Sequence, residues 1–182
     1  DRDTTVYAKW IEKTDLGFTD VADNSPFRAA IGWAVKEGIT NGTSATTFSP
    51  GNTCTTAQIL TFLWRANGSP NSNAACPASD VAETSPFYKA LCWAKDLMTK
   101  GSGSTPCTRA AAVTYLWKLA GSPKMSVNSS FTDVPASADF AQAVAWAVEQ
   151  GVTNGVSASE FAPDSTCTRG QIVTFLYRNL LD

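Results

Sequence analysis

Histidine is absent from all 182 residues. Its absence removes Ser-His-Asp and Cys-His nucleophilic catalysis, together with the commonest transition-metal ligand. The five cysteines form no Cys-x-x-Cys pair, so neither a zinc site nor any other metal or cofactor is expected. Charged side chains make up only 16% of the chain and leave a net charge of −2. No run of Lys and Arg forms a basic patch, so nucleic acid is not an expected partner. No apolar stretch approaches the roughly 20 residues that cross a bilayer, so membrane insertion is not expected either. Asp and Glu are sparse and fall at capping or surface positions. No carboxylate pair recurs in a loop suited to a cleft, which argues against a glycosidase and against an enzyme generally. The chain starts at Asp1 without a secretory signal, and this start reads as a cut within a longer chain.

What is present is repetition. Thr53 to Arg65 reads T-C-T-T-A-Q-I-L-T-F-L-W-R, Pro106 to Lys118 reads P-C-T-R-A-A-A-V-T-Y-L-W-K, and Thr166 to Arg178 reads T-C-T-R-G-Q-I-V-T-F-L-Y-R. Each begins with a polar-Cys-Thr step and runs into an apolar helical pattern. Thr55, Thr108 and Thr168 suit the N-cap, and Gln58 and Gln171 three residues on complete a capping box. Ala111 leaves the middle box half complete.

Upstream of each copy lies a second helical pattern. In the first, Ser25-Pro26 precedes F-R-A-A-I-G-W-A-V-K-E-G. Ser25 suits the N-cap, Pro26 the first helical position and Gly38 the left-handed residue that ends a helix. A loop rich in turn residues follows, with Phe48 as its one large apolar side chain, a plug that pins the loop to the core. The third copy superposes on the first without insertions: Phe131 on Phe18, Trp146 on Trp33, Gly151 on Gly38, Phe161 on Phe48 and Cys167 on Cys54. The second copy keeps Ser85-Pro86-Phe87 and Trp93 but has a loop six residues shorter and no Phe-x-Pro plug. The expected organisation is a repeat at 18–70, a degenerate one at 71–123 and a third at 124–182. Residues 1–17 stand outside, and Thr4 to Ile11 alternates like a strand. Its V-Y-A-K-W resembles the closing strand of the β-rich repeats in listerial-internalin-type surface adhesins, so 1–17 is either a linker or the last strand of such a repeat.

F-T-D-V at Phe18 and Phe131, then A-I-x-x-A-V-x-x-G, then F-x-P, then T-R-x-x-x-x-x-x-L, is similar to the pattern of S-layer homology repeats, which occur in triplets. The resemblance covers residues 18–182. It implies an all-α domain of three tandem helix-loop-helix repeats with pseudo-threefold symmetry, three-pronged around a central three-helix bundle. It also implies a monomeric, non-catalytic module at the bacterial cell surface. Such a module binds secondary cell-wall polysaccharide in inter-repeat grooves, often through terminal pyruvylated N-acetylmannosamine. The competing reading is a degenerate array serving as a structural spacer or protein-docking module.

Candidate ligand-binding residues follow from matching the family pattern position by position. Arg109 and Arg169 sit in the first turn of the second helices, where they oppose the helix dipole. There each either grips a carboxylate beside free helix N–H groups or pairs with the Asp of a neighbouring F-T-D-V. Thr56 stands in the same position in the first repeat, so one groove is expected to be weak. Trp33, Trp93 and Trp146 either stack on sugar faces or pack between repeats. Gly42, Gly101 and Gly155 either admit a ligand close to the backbone or serve turns. Asp20, Asp80 and Asp133 either bond sugar hydroxyls or brace their loops. Cys54, Cys107 and Cys167 replace the family's Val or Ile. Cys92 with Cys107 is the favoured disulfide and Cys76 with Cys92 the rival.

Overall fold

The computed structural model describes residues 16–98, 101–127 and 130–180; the strand expected at Thr4 to Ile11 lies outside them. Six α-helices follow in order: α1 (Arg28–Lys36), α2 (Thr56–Ala66), α3 (Tyr88–Trp93), α4 (Arg109–Leu119), α5 (Ala141–Glu149) and α6 (Arg169–Leu180). α3 passes directly into a single 3-10 turn, Ala94–Asp96. Among the described residues there is no strand, only isolated bridges, so the fold is helical.

The first helices start later than the Ser-Pro signal predicts. The Ser25 hydroxyl accepts the Phe27 N–H at 3.3 Å, and its carbonyl accepts the Arg28 N–H at 3.1 Å. Pro26 and Phe27 therefore form a turn before α1, a position that proline's fixed φ also suits. Ser85 repeats this ahead of α3. At the other end Gly38 takes φ +68°. The Ile39 N–H returns to Ala34 O at 2.8 Å and the Gly38 N–H to Val35 O at 3.0 Å. These paired bonds close the helix as a left-handed glycine allows. Gly151, also at φ +68°, ends α5 in the same way. No glycine follows α3, and the Leu97 and Met98 N–H groups both fall back on Ala94 O.

The second helices are capped as their sequences predict. Thr55 accepts the Gln58 N–H at 3.3 Å, while the Gln58 side chain accepts the Thr55 N–H at 2.9 Å. Thr168 and Gln171 reproduce the box at 3.3 and 3.0 Å, and Thr108 caps Ala111 alone at 3.2 Å. Their last turns are tied down by cations. Arg65 donates to Ile39 O, Lys118 to Leu97 O and Arg178 to Val152 O, each reaching the chain just beyond the preceding helix.

Packing runs around the molecule: α2 lies on α3, α4 on α5, and α6 closes back onto α1. The cysteines just ahead of α2, α4 and α6 link the helix pairs through backbone bonds. The Cys54 N–H donates to Cys167 O at 2.9 Å, the Cys107 N–H to Cys54 O at 2.8 Å, and the Cys167 N–H to Cys107 O at 2.8 Å. Three donors and three acceptors satisfy one another deep in the core, where unpaired backbone groups would be destabilising. The side chains are at most 1% exposed. Burial pushes the Cys54 thiol up to about 12 and the Cys167 thiol up to about 11, and raises Cys107 further still. These thiols are packing groups. The favoured Cys92–Cys107 disulfide is therefore corrected: Cys107 neighbours Cys54 and Cys167, whereas Cys92 neighbours Cys76. At the far end of the second helices, Leu63, Leu116 and Leu176 converge around a cavity of about 140 Å³.

Candidate ligand-binding site

The first turn of each second helix has no N–H group left for an anion. The Arg169 and Gly170 N–H groups donate to Asn52 O and Pro50 O, both at 2.9 Å. Those of Arg109 and Ala110 donate to Ser165 O and Pro163 O, and those of Thr56 and Ala57 to Thr105 O and Gly103 O. The third N–H of each turn goes to the capping threonine. The free helix N-terminus anticipated from sequence is thus occupied by the loop of a neighbouring helix pair. The sequence could not show that these ends face other loops.

The arginines project into the same junctions. Arg169 is 5% exposed, and its Nε donates to Phe48 O at 3.0 Å while Nη2 reaches Thr40 Oγ1 at 3.3 Å. Its guanidinium carbon lies 4.8 Å from the Phe48 ring centroid and 5.5 Å from that of Phe62. Arg109 repeats the arrangement at 4% exposure, with Nε on Phe161 O at 2.8 Å and its guanidinium over Phe161 and Phe175. Its Nη2 is buried without a hydrogen-bond partner. Burial lowers the pKa of both, and the nearby carboxylates of Asp20 for Arg169 and Asp133 for Arg109 oppose that loss of charge. Each arginine therefore clamps the phenylalanine plug of the next loop around the molecule.

This geometry accounts for two departures together. The residue in the arginine position of α2 is Thr56, and the loop it meets, ahead of α4, lacks the phenylalanine. Clamp and plug are missing from the same junction. The Thr56 hydroxyl donates to Thr105 O at 3.2 Å instead. Tyr115, in the register of Phe62 and Phe175, lines the space left open. That cavity is about 520 Å³ and includes Thr56, Met98, Tyr115, Lys118, Asp139 and Phe140. Sequence reading missed it, although the paired loss of Arg and Phe in consecutive copies was the available signal.

The aspartates brace loops. Asp20 accepts the Phe48 and Ser49 N–H groups at 2.8 and 2.7 Å, and Asp133 those of Phe161 and Ala162 at 2.9 and 2.7 Å. Burial opposes ionisation of both, but these N–H groups outweigh it and hold the carboxyls below their usual range. Asp80 accepts from the Ser102 hydroxyl and the Gly103 and Ser104 N–H groups, which hold it well below that range.

Gly42 and Gly155 are packing positions. A Cβ on either would lie 2.6 Å from a carbonyl oxygen, of Thr47 or Glu160, and against the ring of Phe18 or Phe131. Gly101 is exposed beside the cavity and bridges to Ala78. Trp146 is 5% exposed, whereas Trp33 and Trp93 are half-buried. The Trp33 ring meets Tyr177 of α6 edge-on, with centroids 5.7 Å apart. Of the candidate residues, Gly101 alone lines the large cavity.

No curated protein matches the chain. The family model of the S-layer homology domain matches residues 17–59 and 130–173. These segments contain the Asp-braced plug loops and most of the helices that flank them. At these two sites the chain carries the S-layer homology domain, a module that generally anchors proteins to cell walls and implies association with the cell surface.

Proposed function

We propose that the chain is a non-catalytic anchor that binds cell-wall polysaccharide in a groove between helix pairs. The observation that carries this reading is the cavity of about 520 Å³ between α4 and the start of α5, in a chain with two S-layer homology matches. Its volume falls in the range of small-ligand sites, roughly 300–1,000 Å³. The rings of Tyr115 and Phe140 offer flat apolar faces, and Thr56, Thr105, Thr108 and Thr114 supply hydroxyls. That mixture suits a saccharide, whose C–H faces are apolar and whose rim is hydroxylated. A carboxylate-bearing terminal sugar, such as a pyruvylated one, would meet Lys118, whose amino group spends one donor on Leu97 O at 2.8 Å and keeps two. Half-exposed Trp33 and Trp93 offer further ring edges, while Arg109 and Arg169 shape the junctions from beneath.

The ring of backbone bonds at Cys54, Cys107 and Cys167 supports a third repeat between the two matched segments. In this reading the monomer is three-pronged and pseudo-threefold about α2, α4 and α6, with one junction left unplugged. The test is cosedimentation of the purified chain with bacterial sacculi. It should pellet with sacculi that retain their secondary polymer and stay in solution with stripped ones. Equal pelleting with both, or with neither, overturns the reading. Comparison of polymer with and without its pyruvyl groups then decides whether Lys118 meets a carboxylate.

A further inference from the structure

Two of the five cysteines lie outside the core ring, and the fold brings them together. Cys76 is half-buried in the irregular segment ahead of α3, and Cys92 is a 4%-exposed residue of α3 itself. Their thiols are in hydrogen-bond contact with each other. The surroundings hold that contact. The Ser72 hydroxyl donates to Cys92 O at 3.2 Å, the Cys76 thiol to Ala78 O at 3.5 Å, and the Tyr88 hydroxyl, one turn before Cys92, also bonds its sulfur. Sulfurs already in contact meet the first condition for bridging. Both are free thiols in the structure.

We propose that Cys76 and Cys92 are a disulfide-forming pair, oxidised by thiol–disulfide exchange with a small-molecule or protein disulfide outside the cell. Half-buried Cys76 is the accessible partner. Its thiol gives a proton to solvent, and the thiolate attacks one sulfur of the external disulfide. That S–S bond breaks, and the leaving thiolate takes up a proton. Cys92 then loses its proton and attacks the Cys76 sulfur of the mixed disulfide. The Cys76–Cys92 bond forms as the second external thiol departs. Two protein thiols are oxidised and one external disulfide is reduced to two thiols, so atoms and electrons balance. Burial raises the pKa of Cys92, as do the neighbouring Cys76 and the less accessible setting, which fits it to the resolving step.

The bridge would tie the segment before α3 to α3, in the part of the chain with neither a phenylalanine plug nor an arginine clamp. Its formation is independent of polysaccharide binding. Cys54, Cys107 and Cys167 stay reduced because their thiols are sealed in the core.

The test uses the folded full chain, incubated with oxidised glutathione, blocked with N-ethylmaleimide, and mapped by mass spectrometry without reduction. Trypsin cuts after Arg65, Lys89, Lys95 and Lys100, which puts Cys76, Cys92 and Cys107 on separate peptides. The expected product is a Cys76–Cys92 cross-linked peptide pair lighter by two hydrogens, with the other three cysteines modified only after denaturation. Oxidised wild type should melt roughly 5–10 °C above the reduced chain, a shift that Cys76→Ser abolishes. A Cys92–Cys107 cross-link, two alkylated thiols, or a stable glutathione adduct on Cys76 would each overturn the proposal, and the wild-type map decides even if the variant fails to fold.

Discussion

Replacing Arg169 by alanine is expected to destabilise the fold by roughly 3–5 kcal/mol. The substitution deletes a charge-assisted bond to Phe48 O and a second to Thr40 Oγ1, at 3.0 and 3.3 Å. Hydrogen bonds to charged groups contribute about 1.5–3 kcal/mol, and the carbonyl left behind is buried without a donor. Stacking over Phe48 and Phe62 adds roughly 0.5–2 kcal/mol. Relief from holding a desolvated cation offsets part of the sum. The assay is urea unfolding followed by tryptophan fluorescence, with the midpoint shifting and the slope unchanged. Arg169→Lys should recover less than half of the loss, because an ammonium cannot both stack and present an Nε donor. In a double-mutant cycle, Arg169→Lys and Phe48→Leu should couple by about 1 kcal/mol or more. If Arg169→Ala unfolds within about 0.5 kcal/mol of wild type, the range of ordinary surface substitutions, the clamp is refuted.

Gly155→Ala should cost about 2–4 kcal/mol in the same assay, since φ is +82° and the new Cβ would sit 2.6 Å from both Glu160 O and the Phe131 ring. Ala162→Gly should stabilise by roughly 0.5–1 kcal/mol, because Ala162 is held at φ +58° beside the Asp133 brace. Acid should weaken the fold. Asp20, Asp80 and Asp133 have folded pKa values below their unfolded ones, so their stabilisation is present above about pH 4 and is lost as pH falls through the folded values. Asp133→Asn, read by melting temperature against pH, should flatten that acid limb.

The helices, the caps and the plug were legible because each depends on local sequence. Thr55 with Gln58 specifies its box within four residues, and Gly38 specifies its own left-handed turn. The starts of α1 and α3 were misplaced by two residues because Ser-Pro signals a turn as readily as a cap. What stayed hidden depends on which loop meets which helix. Arg169 and Phe48 lie 121 residues apart, and nothing local marks Arg169 as a framework cation rather than a ligand. The backbone ring at Cys54, Cys107 and Cys167 is invisible for the same reason, since side-chain periodicity says nothing about backbone partners. Thr56 read as an eroded groove when seen alone. Beside the missing plug it marks the junction where a cavity opens.

The central claim is that this cavity holds a wall saccharide. Thr105 is an exposed rim residue whose backbone, not its side chain, bonds α2. Thr105→Trp should therefore fill the mouth while leaving the fold intact. Calorimetric titration of purified wall polysaccharide into both proteins is the direct measurement. Saturable binding to wild type, weakened at least about tenfold in the variant, a difference of some 1.4 kcal/mol, is predicted. Equal affinity for the two proteins at unchanged melting temperature, or no saturable binding to wild type, would contradict it.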